Sequence, residues 1–229
     1  SVSLTEEQNR RTNPVSFLDA RGVKLYNQPE KYDDRVYQER KDQIGMGYLK
    51  GDSIVNSPLD FSKKNRISLP SLHQALRSIL FPLSVPATQR FGIEPEDYKF
   101  LRRYMSLKPA ESNFPSYDPV DYYDTYCKFL LFGSDLKVKI PPHIKVLNKV
   151  GNAYGFLLDV AYIADFKNKV EFMLSAVIYC NRDGILNDDA YDYDEYGYPF
   201  LKHIGEVIYN YELKRKRAFR PDLSAFLEE

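Results

Sequence analysis

Between Ile144 and Asn181 apolar residues fall in three successive runs separated by short polar breaks. Ile144 to Val150 alternates apolar and polar at period two, the pattern of a half-buried strand. Residues 156–164 and 170–179 are nearly unbroken apolar runs rich in β-branched and aromatic side chains, which favours strands over a buried helix. The polar link from Asp165 to Lys169 is short enough to close an antiparallel hairpin. Gly151 and Gly155 bracket a tight reversal after the first run. The pattern predicts a three-stranded antiparallel meander, followed by an amphipathic helix over 200–217.

Upstream the period changes to that of a helix. Leu69, Leu72, Leu76, Ile79 and Leu80 share one face, with Ser68 as N-cap, Pro70 in the first turn and Phe81-Pro82 at the end. Acids at Glu94, Glu96 and Asp97 open a second helix carrying Tyr98, Leu101, Tyr104 and Met105, closed by Lys108-Pro109. Residues 120–132 read as a third helix ending at Gly133. Before them the pattern is irregular: a turn at Asn13-Pro14, an extended piece within 15–26, and a charge-dense, partly helical excursion over 30–42. Gly45 and Gly47 lack the third glycine and the strand-to-helix setting of a phosphate cradle. The fold class expected is α+β, with residues 1–61 an irregular N-terminal segment and 62–229 a meander packed with helices.

Composition narrows the function classes. The 229 residues include 32 Lys plus Arg against 32 Asp plus Glu, a balance that offers no field for nucleic acid or an anionic membrane. No run approaches the ~20 apolar residues of a membrane span. Nineteen tyrosines with no tryptophan suit a core with ring edges near the surface, and also a sugar-binding face. Cys127 and Cys180 have no partner at disulfide-framework or metal spacing and read as buried thiols. His73, His143 and His203 are scattered, and His73 reads as a surface residue on its helix. Asp192, Asp194 and Gly197 match the start of a calcium loop, but Tyr196 takes a ligand position and His203 stands where glutamate is needed. No metal or cofactor is expected.

Lys149-Val150-Gly151 on a strand, then Gly155-x-x-x-Asp159 on the next, then an apolar strand and a C-terminal helix, resembles the class A β-lactamase and penicillin-binding transpeptidase family. The Asn65–Leu80 stretch is similar to a helix entry bordering that family's site. The resemblance implies a cell-envelope or periplasmic serine hydrolase acting by acyl transfer on a small-molecule, peptide or peptidoglycan-like substrate. It assigns Lys149 to a substrate carboxylate, and Gly151 with the Asn152 N–H to the oxyanion hole. Val150 departs from the pattern, having no hydroxyl to offer that carboxylate.

The family's nucleophile is a Ser-x-x-Lys at a helix start, one turn bringing the amine to the hydroxyl. The match in this chain, Ser134-Asp135-Leu136-Lys137, falls in a loop a dozen residues before Lys149, and no Ser-x-Asn triplet occurs. Both motifs precede the present residues in the family's order, so the chain, which begins at Ser1, reads as a C-terminal portion whose catalytic nucleophile lies elsewhere. The alternatives are a lineage that has lost catalysis, and a non-catalytic α+β binding or interaction module of the cell envelope holding a carbohydrate or a protein partner.

Overall fold

The computed structural model describes residues 6–35, 40–64 and 66–227. It is α+β and divides into two compact units, Ser1–Arg66 with Gly184–Asp188, and Ile67–Asp183 with Asp189–Glu229.

The first unit is built of short pieces. Val15–Leu18 pairs antiparallel with Lys24–Gln28, and Gly47–Lys50 pairs with Ser53–Val55 on one side and, in parallel, with Ile185–Leu186 on the other. Turn chemistry holds the first hairpin. The Asp19 carboxylate accepts from the Arg21 and Val23 amides, both at 2.9 Å, and Gly22 takes φ +80°. The two strands expose every residue except Gln28.

The second unit holds three helices, α1 (Leu69–Leu80), α2 (Pro95–Ser106) and α3 (Tyr198–Lys214), and the strands β1 (Ile144–Ala153), β2 (Phe156–Asp165) and β3 (Val170–Tyr179). The strands form an antiparallel meander with β2 in the centre and β1 at one edge. Even and odd residues of β2 serve different cores. Leu157, Ala161 and Ile163 pack with Phe129–Phe132 and with Leu201 of α3, whereas Val160, Tyr162 and Ala164 pack with Leu76 and Leu80 of α1 and with Leu223 and Phe226. Burial on both faces is the reason β2 reads as a continuous apolar run.

The β1–β2 turn is Tyr154-Gly155, with φ of +53° and +80°, the two-residue hairpin in which both central residues are left-handed. Glycine is required at the second place, because a Cβ there would stand 2.6 Å from that of Asn181. Gly151 plays no part in the reversal: it lies inside β1 opposite Leu158.

Four expectations are corrected. Residues 120–132 form turns, not a helix. Cys127 and Leu131 take φ of +58° and +76°, which a helix cannot contain, and the Phe129 and Leu130 amides donate to the Asp159 carboxylate at 3.2 and 2.9 Å. The C-terminal helix begins at Tyr198 and ends at Lys214, with Arg217 turned back to Glu212 and the Lys169 carbonyl. His73 is half-buried, its Nδ1 lying 2.6 Å from Ser175 Oγ of β3. Cys180 is buried but Cys127 is only half-buried. Ser68 caps α1 through the Ser71 amide as expected, while Asn65 lies outside the described residues. No described helix is long and apolar enough to cross a membrane.

Candidate functional site

β1 carries the residues singled out in the sequence and forms one edge of the meander. No other strand pairs with its outer side among the described residues, and α2 packs alongside it. Beyond the β1–β2 ladder the Phe166 amide donates to the His143 carbonyl at 2.9 Å. The register then runs without a slip from Asp165–Ile144 to Phe156–Ala153. Hydrogen-bonded pairs alternate along an antiparallel ladder, so Lys149 and Gly151 exchange bonds with β2. Val146, Asn148, Val150 and Asn152 turn their N–H and C=O groups outward. Two side chains confirm the phase by reaching carbonyls of the outward set: Lys128 Nζ to Val146 at 2.8 Å and Lys149 Nζ to Val150 at 2.5 Å. The Asn152 amide therefore points away from the sheet.

A hollow of about 590 Å³ opens beside this edge. α2 contributes Tyr104 and Met105, β1 contributes Asn148 to Val150, and the turn-rich segment between α2 and β1 contributes Tyr117, Tyr122 and Tyr126. Of the three residues singled out in the sequence, Lys149 lines the hollow and is exposed. Gly151 and Asn152 continue the same strand past its lining. Nothing steric demands glycine at 151, since a Cβ would meet only the Leu158 side chain, at ordinary contact distance of 3.5 Å.

Under the hollow lies a polar network that periodicity passed over. Lys128 is buried, and its ammonium spends its three hydrogens on the Met105 carbonyl, the Val146 carbonyl and Asn148 Oδ1, at 2.8 to 2.9 Å. Asn148 Nδ2 bonds the Cys127 carbonyl at 2.9 Å and the Asp159 carboxylate at 3.0 Å. Burial governs both charges: it lowers the Lys128 pKa to about 8 and raises that of Asp159 to about 6, against the opposing pull of each on the other. Their joint effect is to fix the Cys127–Leu130 backbone against β1 and β2, with the Cys127 thiol, pushed up by burial, on the wall of the hollow. Lone charged residues inside otherwise apolar runs, Lys128 in CKFLLF and Asp159 in LLDVAY, were the sequence signal for this network.

Ser134 and Lys137 do not form a catalytic pair. Ser134, at φ +51°, sits in a turn, its hydroxyl 2.9 Å from the Tyr123 hydroxyl, while the turn is closed by Asp135 accepting from the Lys137 amide. In the acidic tyrosine loop Asp192 is bound to Arg182, and among the described residues no cluster of three or more His, Cys, Asp or Glu is arranged to hold a metal ion. No family model, curated protein or solved structure matches the chain.

Proposed function

We propose that this chain is the C-terminal portion of a β-lactamase-like serine hydrolase of the cell envelope, performing acyl transfer on an amide or ester. Its nucleophile is supplied by residues outside the chain. What carries the reading is the open edge of β1: one cation, Lys149, and one outward amide, Asn152, lie three residues apart on a strand beside a hollow. In an acyl transfer the ammonium holds a substrate carboxylate, and the amide donates to the oxygen that becomes negative as the carbonyl is attacked. Residues i and i+3 on a strand project their side chains to opposite faces, so the side chain of one and the backbone of the other are the usable groups. Val150 cannot add a hydroxyl to the carboxylate contact and packs instead against the inner core. Carboxylate recognition on this strand therefore rests on Lys149 and backbone alone.

The test is labelling by a fluorescent penicillin or fluorophosphonate in a longer protein that contains this chain together with a Ser-x-x-Lys helix. Lys149→Ala is expected to abolish labelling without changing the circular dichroism spectrum. Equal labelling of the variant, or no labelling of the unaltered protein, overturns the proposal.

A further inference from the structure

Two groups stand out among the tyrosines of the second unit. One group spends its hydroxyls on the fold: Tyr98 donates to the Phe91 carbonyl at 2.8 Å, Tyr123 to the Ser134 carbonyl at 2.7 Å, Tyr209 to the Asp165 carboxylate at 2.6 Å. Tyr104, Tyr117, Tyr122 and Tyr126 make no such bond among the described residues, and all four line the hollow beside β1. They are not core rings, for Tyr104 is 54% exposed and Tyr117 38%. Tyr122 stands 4.9 Å, centroid to centroid, from both Tyr117 and Tyr126, its plane inclined to theirs by 50° and 68°, so the three form one angled aromatic cluster.

The charge on the lining is one-sided. Three lysines and no carboxylate border the hollow. Lys108 is balanced by Glu111 at 3.3 Å and Asp124 at 3.6 Å, and Lys128 is saturated by its three acceptors. Among the described residues Lys149 has only the carbonyl of its neighbour Val150. The hollow thus presents ring faces, four hydroxyls that water or a ligand must satisfy, outward strand amides and one uncommitted cation.

We propose that this hollow binds an acidic saccharide, its pyranose rings packing on the Tyr117–Tyr122–Tyr126 cluster and a ring carboxylate meeting Lys149. An aromatic acid would supply ring and charge but leave the hydroxyls and strand amides to water, whereas a polyhydroxylated ring can bond them directly. The volume lies within the range of small-ligand sites. The inference shares Lys149 with the acyl-transfer reading and names the chemistry of what that site would hold, yet binding can be measured on this chain without any turnover.

The experiment is isothermal titration of the 229-residue chain with trimers of galacturonate, glucuronate and mannuronate, with the corresponding neutral trimers, and with 4-hydroxyphenylacetate. Saturable binding of at least one acidic trimer is expected, roughly tenfold or more tighter than its neutral counterpart. Tyr122→Ala and Tyr126→Ala should each weaken it by about tenfold. Lys149→Met should bring the acidic trimer down to the neutral one, with melting temperatures unchanged in all three variants. Bound sugar should also slow alkylation of Cys127. Absence of saturable binding by every acidic trimer, equal binding of neutral ones, or tighter binding of the aromatic acid overturns the proposal. Failure of penicillin labelling in the longer protein would sink the hydrolase reading and leave these titrations untouched.

Discussion

The meander of the second unit and the Val15–Gln28 hairpin of the first are both antiparallel and both closed by residues at positive φ, yet opposite forces hold them. In β2 nearly every residue is buried, on two faces, by partners tens of residues away. In the hairpin Phe17 is 57% and Leu25 69% exposed, and the order comes from Asp19 gripping its own turn. The contrast shows how a chain of ordinary composition can specify one strand pair by long-range burial and another by local hydrogen bonding. Only the first kind can support buried charge.

The largest effect expected from that contrast is at Asp159. Removing its carboxylate leaves two buried amides without their acceptor, strips Asn148 of one of its two, and takes away the counter-charge of Lys128. Asp159→Ala should therefore cost about 3–5 kcal/mol in chemical denaturation, whereas Phe17→Ser in the hairpin should stay within about 0.5 kcal/mol. Similar losses at both sites would erase the distinction.

The next effect depends on pH. Burial lifts the folded-state pKa of Asp159 to about 6, above the ordinary 3.8. A raised pKa means that the folded chain holds the proton more tightly than the unfolded chain does. The stability this contributes is complete below about pH 4 and is lost as pH rises through 6. Asp159→Asn has no such proton to lose. Between pH 4 and pH 7 the wild type should thus lose up to about 3 kcal/mol relative to the variant, the equivalent of two pKa units. Parallel curves in urea unfolding would show that Asp159 does not titrate in this way.

The smallest effect separates two glycines that share φ +80°. At Gly22 an added Cβ meets nothing within 4 Å, so Gly22→Ala should carry only the left-handed penalty of about 1 kcal/mol. At Gly155 the same Cβ would also press on Asn181, so Gly155→Ala should cost about 1–2 kcal/mol more. Equal destabilisation in the two would show that backbone strain alone, without packing, governs the β1–β2 turn.

β1, α1, α2 and α3 were legible from the period of their apolar residues, and β2 from an unbroken apolar run buried on both faces, while Ser68 and the acids at Glu94 to Asp97 mark helix starts. The α+β class follows from those elements. Residues 120–132 were misread because their apolar side chains are consistent with a helix, whereas their backbone is shaped by Asp159 and Asn148, which no local window contains. The candidate site was legible only in part. Lys149 is visible from its place before a glycine on an amphipathic strand, but the cluster of Tyr117, Tyr122 and Tyr126 is brought together by turns whose geometry leaves no periodic trace. Whether a tyrosine serves the fold or the solvent is decided by where its hydroxyl finds an acceptor, which composition does not record.

The outward amides and carbonyls of β1 also have a colloidal consequence. An uncapped strand margin is a template for another extended chain, including a second copy of itself. Two such margins paired antiparallel about residue 149 would set Lys149 against Lys149, and repulsion between like charges discourages that register. An exposed lysine on that margin thereby works against self-pairing in that register.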